Sequence, residues 1–335
     1  MQVLVFSDPH GRIPLLLRIV GEARRRLDVA FDLILVAGDL GVWPDPLALD
    51  SSTRRCARAD PGELGFLHFA PLGDGTVSGV PGGGLRDPAE VDALVRSFCA
   101  AAGVDSGDHL RSIRRERELL DGLLPELRCP VLFVGGNHED YDYLLRCRDL
   151  AHGQESCPVE GTGMLSWIPS GRTVRRGLSV AGLSGLDAAA AGRSPARYHE
   201  AIRIDDDRTL SFLEQAASGP VDVLLSHDGP PGFPKDGKGS DRILLAVSEL
   251  DPLFHVFGHY HASRAPALYR ELYPELSTCR TRAIHLNKLA FLPGGALRER
   301  AVGLLRWSDA VPSFELLDAP WLRALTAQSW HRLTL

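Results

Sequence analysis

The chain predicts an α/β protein with a mainly parallel central sheet, on three observations. Short apolar runs recur at Val3–Ser7, Leu33–Ala37, Val131–Val134, Val221–Leu225 and His255–Phe257, and runs of this length bounded by glycine or polar residues suit buried strands. Between the first two lies a helical stretch with Pro14 at its start, which makes a βαβ unit with a right-handed crossover. Each run then ends in residues that bind metals: Asp8-Pro9-His10, Gly38-Asp39, Gly135-Gly136-Asn137-His138-Glu139, Ser226-His227 and Gly258-His259-Tyr260-His261. Positions just past the carboxyl end of such a strand are where α/β proteins place their chemistry.

The elements follow in order. Gln2–Ser7 is a strand, and a helix runs from Pro14 to about Leu27 with Leu15, Leu16, Ile19 and Val20 on one side. Phe31–Ala37 is the next strand. From Gly41 to about Leu127 the pattern breaks down. Residues 60–84, with Gly73-Asp74-Gly75 and Pro81-Gly82-Gly83-Gly84, read as a loop or small hairpin outside the core. Asp87-Pro88 is an N-cap and first-turn pair for a helix to about Ala102, and a second, Arg-rich helix runs from about Asp108 to Leu124. This insertion, about 42–127, reads as a lid or substrate collar.

Past the 131–137 strand come a helix from about Tyr141 to Asp149 and a hairpin of Arg172–Arg176 with Leu178–Leu186, turned at Gly177. A helix over about Arg208–Gln215, a strand at Val221–Ser226, a rigid loop at Asp228–Gly232, a helix over Ser240–Glu249 and a strand at His255–Phe257 follow. Arg282–Leu292 and Val302–Trp307 alternate apolar and polar residues as antiparallel strands of a second sheet do. Residues 1–318 form one domain, and 319–335 are a tail of one or two amphipathic turns.

With 335 residues, 44% of them hydrophobic, the chain can bury a large core. A net charge of −6 excludes a global attraction to nucleic acid or anionic membrane. Taken singly, the arginine clusters at Arg24–Arg26, Arg54-Arg55-Arg58 and Arg111–Arg117 read as solvated helix faces. Six cysteines without C-x-x-C spacing suggest reduced thiols. The first strand leaves no room for a signal peptide, and no run approaches the ~20 apolar residues of a membrane span, so a cytoplasmic protein with no membrane partner is expected.

Asp8 and His10, two apart on an extended segment, can chelate one ion from the same side, and so can His259 and His261. Asp39 can bridge two cations through its two oxygens. Asn137 and His227 add an oxygen and an imidazole. Oxygen and nitrogen donors without thiolate suit manganese, iron, zinc, cobalt or nickel. The set is large enough for two ions about 3.5–4 Å apart, the arrangement that clamps an in-line displacement at phosphorus. His68, His109, His152, His199, His255, His285 and His331 read as surface or core histidines, with His199 the one able to line the site. Gly82–Gly84 has no strand leading into it and no following Lys-Ser/Thr, so it reads as a hinge and not as a phosphate loop.

In this order the motifs resemble the signature of calcineurin-like metallophosphoesterases, over nearly the whole chain apart from the insertion. The resemblance implies a β-sandwich flanked by helices. It implies that Asp8, His10, Asp39 and His261 bind a first divalent transition metal, and that Asp39, Asn137, His227 and His259 bind a second. It also implies that His138 protonates the leaving oxygen while a hydroxide bridging the metals attacks. Within that family the layout is most similar to the RNA lariat debranching enzymes, through Ser226-His227-Asp228-Gly229-Pro230, the hairpin Val174–Leu186 with Gly182-Leu183-Ser184-Gly185, Tyr198-His199, and Asn287-Lys288. It departs from them with Asp8 where they often carry cysteine, a longer glycine-rich insertion, and Gly229 where they have a bulky aromatic. The implied activity is hydrolysis of a phosphodiester in RNA, DNA or a nucleotide. A phosphomonoesterase or protein phosphatase is the alternative, although Leu40-Gly41-Val42 follows Asp39 without that group's downstream Asp-Arg-Gly. A non-catalytic scaffold is a third reading, opposed by the complete set of ligand-type residues.

Overall fold

The computed structural model describes residues 1–72, 84–187, 199–261, 264–308 and 311–332. Its first sheet is built on runs apolar enough to be covered on both faces, as parallel strands must be. β1 (Gln2–Phe6), β2 (Leu33–Val36) and β3 (Val131–Val134) pair in parallel. β4 (Cys157–Pro158) and β5 (Leu165–Ile168) extend one side, with β5 parallel to β3.

The second sheet starts with the predicted hairpin, β6 (Ser170–Arg175) and β7 (Leu178–Leu183), which turns at Gly177 with φ 83°. β8 (Val223–Ser226) and β9 (Phe254–Phe257) continue it in parallel, and β10 (Ala267–Leu268) pairs antiparallel with β11 (Arg282–His285) at the far edge. β12 (Val302–Arg306) and β13 (Ser313–Leu316) return to the first sheet beside β1.

Alternation along the strands packs the two sheets face to face. Val3, Val5, Leu33, Leu35, Leu132 and Val134 meet Val180, Val223, Leu225, Val256 and Ile284 in one cluster. The other face of the first sheet, with Phe6, Ile34 and Phe133, packs on α1 (Ile13–Leu27) and on α4 and α5, which span Ser106–Leu123 and Tyr141–Leu150. The outer face of the second, with Leu183, Leu224 and Phe257, takes α6 (Asp206–Ala216), α7 (Asp241–Leu250) and the short α8 (Tyr269–Leu272). The result is two mixed sheets flanked by helices, the sandwich that the resemblance implies.

Two expectations need correction. Arg282–Leu292 and Val302–Trp307 do not pair. β11 runs parallel to β9 in the second sheet, and β12 runs antiparallel to β1 in the first. Alternation reports half-burial and says nothing about the partner strand.

Part of the insertion is also built into the core. It holds α2 (Ser51–Ala59), which no periodicity announced, a 3-10 helix over Pro61–His68, α3 (Pro88–Ala102) and α4. α3 is capped as predicted, with the Asp87 side chain accepting from the N–H groups of Ala89 and Glu90. Residues 62–69, read as loop outside the core, are instead buried, and Phe66 and Phe69 join the main core beside α1. Their glycines and the preceding proline hide a cluster of apolar side chains. Trp43, Leu49, Leu64, Val91, Phe98 and Ile113 form a further small core. Phe69 bridges Leu85, but Gly73-Asp74-Gly75 and Pro81–Gly83 lie outside the described residues.

The tail is docked as well. α9 (Pro320–Arg323) leads to Trp330, whose carbonyl, like that of Arg332, accepts from buried Arg18. All six cysteines are free thiols, and no described helix is long and apolar enough to cross a membrane.

Because residues 62–69 share the main core, Phe66→Ala should cost about 3–5 kcal/mol in a urea titration, as for a core phenylalanine. A loss under about 1 kcal/mol would show that the insertion is only peripheral.

Candidate metal centre

The ligand-type residues sit where strand ends turn sharply into loops. Asp8, His10, Asp39, His259 and His261 all take left-handed backbone conformations, with φ of 49°, 47°, 47°, 68° and 48°. Such a conformation costs a non-glycine residue about 1–3 kcal/mol and persists only where the surroundings dictate it. The surroundings here are crowded backbone. A Cβ on Gly136 would lie 2.1 Å from Asp39 Oδ1, and one on Gly258 would lie 1.7 Å from Ser7 Oγ. Both positions admit only glycine.

The structure brings all seven predicted ligands together. Asp8, His10 and His261 form one group able to hold a metal, and Asp39, His227 and His259 form another. His10 Nε2 lies 3.8 Å from Asp8 Oδ1 and 3.5 Å from Asp39 Oδ2, and His261 Nε2 is 3.5 Å from Asp8 Oδ1. On the other side His227 Nε2 is 3.3 Å from both Asp39 Oδ2 and Asn137 Oδ1, and His259 Nδ1 is 3.0 Å from His227 Nε2. Asp39 thus stands between the groups. A further group, His10, Asp39 and His138, meets the same distance criterion, so geometry alone also admits His138 as a ligand.

A metal fits this set on the structure's own terms. Asp8 Oδ1 and His10 Nε2 are fully buried without a hydrogen-bond partner, a costly state unless a cation completes them. The remaining polar atoms are fixed from behind. Ser7 Oγ and the His259 N–H both donate to Asp8 Oδ2, the latter at 3.1 Å, and the His138 N–H donates to Asp39 Oδ1 at 2.8 Å. His227 Nδ1 lies 3.2 Å from the Ala37 carbonyl, the outer hydrogen bond that orients a ligating imidazole and turns Nε2 toward Asp39 and Asn137.

Electrostatics agree. Burial pushes the Asp8 and Asp39 carboxyls up, but the surrounding histidines hold both well below the usual carboxylate range. For His227, burial is outweighed by Asp39 and the imidazole rises to about 10, whereas burial takes His259 down to about 3.

Glu139 of the predicted motif supports this frame, as do Glu63, Asp50 and Thr53, which sequence reading did not single out. Glu139 accepts from the N–H groups of Leu40, Gly41 and Val42 at 2.7, 3.0 and 2.7 Å, which pins the loop after Asp39. Glu63, buried in the insertion, ties Arg12 (2.9 Å) and Lys288 (3.3 Å) together behind His10, whose Nδ1 is 3.9 Å away. Asp50, the N-cap of α2, and Thr53 reach His138 Nδ1 at 3.1 and 2.9 Å. Burial disfavours the charged imidazole of His138, but Asp39 and Asp50 outweigh it and raise its pKa. The signal for Asp50 was present as Asp50-Ser51-Ser52-Thr53, a cap followed by a first turn, in a stretch without apolar periodicity.

A cleft of about 690 Å³ opens beside His138 and Asn137, walled by Trp43, Asp50, Arg55, Tyr141 and His199. His199 therefore does line the site, stacked on Tyr141 with ring centroids 6.0 Å apart, while Tyr198 lies outside the described residues. Of the insertion arginines only Arg55 lines the cleft. Arg111, Arg114 and Arg117 pair with Asp108, Asp92 and Asp121, and Arg115 lines a separate hollow under the tail. His255 is a core residue, held between Ser226 and Tyr269.

No protein-family profile and no curated protein matches the chain. Among solved structures, the chain is similar to GAP50 of Plasmodium, described as the anchor in the inner membrane complex, at 10% identity and a TM-score of 0.44. That match covers 94% of this chain and 83% of the other. It is also similar to a conserved uncharacterized protein of Streptococcus pneumoniae described as a predicted phosphoesterase, at 11% identity and a TM-score of 0.33, covering 94% and 87%. Likeness this distant carries no argument about the site.

If these groups hold metal, manganese or zinc at about a hundredfold excess over Kd should stabilise the fold by about 2.7 kcal/mol, reversibly with a chelator. A melting temperature indifferent to both metal and chelator would exclude a metal centre.

Proposed function

We propose that the chain is a dinuclear metal-dependent phosphoesterase that hydrolyses a phosphodiester of nucleotide size. The observation that carries the reading is the pair of orphaned buried atoms, Asp8 Oδ1 and His10 Nε2, facing a carboxylate, Asp39, that a second histidine group shares. In this reading Asp8, His10, Asp39 and His261 hold one ion, and Asp39, Asn137, His227 and His259 hold the other. Bound there, two divalent ions would neutralise phosphate charge and activate water for attack.

The chain's own residues supply the rest. His138 is the general acid. Its Nδ1 is engaged by Asp50 and Thr53, which leaves Nε2 as the ring nitrogen free to give a proton to the departing alkoxide. Asp50 stabilises the imidazolium before transfer and holds the ring against His10, 5.0 Å away between centroids. The main-chain bond from His138 to Asp39 ties acid and ligand frame into one unit.

Substrate size follows from the cleft wall. Asp50, Asp140 and Asp142 line it against Arg55, while burial pushes the Glu139 carboxyl up to about 8, and the Arg-rich second helix lies elsewhere. A long polyanion is repelled by such a wall, whereas a single diester flanked by one nucleoside presents one charge to the metals and a ring to His199. This narrows the RNA or DNA reading to nucleotides and short ends.

Two measurements test the assignment. Asp39→Ala should lose both metals by elemental analysis and all turnover, and a fully active variant would sink it. His138→Ala should retain both metals while losing turnover by about 100- to 10,000-fold on a diester with a poor leaving group, and by less on an activated aryl ester that needs no protonation. Loss of a metal in that variant would make His138 a ligand instead.

A further inference from the structure

A second hollow, of about 380 Å³, opens between α5, the β5–β6 turn and α6. Its polar lining is Arg148, Arg208, Ser170, Ser211 and Gln215, and in a chain of net charge −6 it contains no carboxylate among the described residues. The cleft beside His138 has the opposite character, with four acids and one arginine.

Arg208 is the centre of the hollow. Its Nη1 donates to the carbonyls of Ala201 and Arg203, the latter at 3.3 Å, which fixes the guanidinium in place. Among the described residues no carboxylate oxygen comes within the 4.0 Å of a salt bridge to it. The carboxylate closest in sequence, Asp205, is occupied capping α6, where it accepts from the Arg208 backbone N–H at 2.9 Å. Burial lowers the Arg208 pKa, against an upward pull from Tyr141 and Asp205, and the like charge of Arg148 adds to the lowering.

Arg148 pairs only with its chain neighbour Asp149, at 3.2 Å, with both side chains about half or more exposed. Such a contact contributes about 0–1 kcal/mol and is easily exchanged. Two guanidinium groups face a hollow whose lining holds no carboxylate among the described residues, with Asp149 and Asp205 outside it, and such a pair forms a site for an anion.

We propose that this hollow binds a phosphate group. Arginine forks match phosphate oxygens in bidentate fashion. Gln215 Nε2 donates to Ser211 Oγ at 3.1 Å, which leaves the Ser211 hydroxyl hydrogen free to turn toward a ligand. Trp167 supplies an apolar wall. It meets Tyr141 edge-on at 6.2 Å, and the Tyr141 hydroxyl donates to the Gly136 carbonyl at 2.9 Å, one residue from Asn137. One aromatic ring therefore separates the hollow from the metal loop. The phosphate is either free inorganic phosphate or a terminal phosphate carried by the substrate. The site itself does not depend on the phosphoesterase reading.

The test is calorimetric titration of the full chain with inorganic phosphate, in the metal-loaded form and again after EDTA. One class of phosphate sites should survive EDTA in the wild type. It should weaken by about tenfold or more in Arg148→Gln and in Arg208→Gln, the worth of one charge-assisted hydrogen bond. Arg148 is exposed, so its variant keeps the fold even if Arg208→Gln does not. If the EDTA-treated wild type binds no phosphate, or binds it equally well in the Arg148 variant, the proposal is overturned. A missing metal-dependent class would count against the metal centre alone.

Steady-state kinetics of the metal-loaded enzyme then separate the sources. If the ligand is the substrate's own phosphate, Arg148→Gln raises KM for a 5′-phosphorylated dinucleotide and not for the unphosphorylated one. If the ligand is free phosphate, added phosphate shifts the wild-type KM on an unphosphorylated dinucleotide beyond the competition at the metals, and Arg148→Gln shows that competition alone.

Discussion

The mouth of the two sheets is arranged around one buried anion, the carboxylate of Asp39. It sits in a left-handed turn at the end of β2, held on Oδ1 by the His138 N–H, with His10 and His227 on Oδ2. A carboxylate without solvent needs compensation, and the histidines alone hold it below the usual range. The glycines of the neighbouring loops follow from this need, since a Cβ on Gly136 would occupy the position of Asp39 Oδ1. So does Glu139, whose carboxylate collects the N–H groups of the residues after Asp39 and keeps that loop from relaxing.

The sandwich is the means by which distant segments reach that anion. Parallel pairing of β1, β2 and β3 puts Asp8, Asp39 and Asn137 at one end of the first sheet. Parallel pairing of β8 and β9 puts His227 and His259 at the corresponding end of the second. The shared apolar interior of Val3, Leu35, Val134, Leu225 and Val256 presses the two ends together. A register slip of one residue would turn this face outward and separate the two halves of the donor set.

The insertion belongs to the same unit. Glu63 closes the charge network behind His10 while Phe66 and Phe69 fill the core beneath it, and Asp50 and Thr53 reach over to His138. The segment thus touches both the Asp8, His10 and His261 group and His138. Arg111, Arg114 and Arg117 of its second long helix are held in pairs with Asp108, Asp92 and Asp121, and Arg55 is the insertion arginine that lines the cleft.

The order of apolar runs, each ending in a ligand-type residue, was enough to indicate the α/β class and to point to seven residues that the structure brings together. This information is local: strand length, burial and the two-residue spacing of Asp8 with His10 or His259 with His261 are all encoded within a few residues. Partner choice is not local. Whether Arg282–His285 pairs with β9 or with Val302–Arg306 depends on which edge is open after the rest has folded, and alternation reads the same in both cases. Residues 61–69 were misread because glycine and proline mask apolar residues whose burial is decided by α1 and α4, far away in sequence. Asp50 likewise carries a plain helix-cap signal. Only tertiary folding brings its second oxygen to a histidine 88 positions further on, because no spacing rule spans that distance.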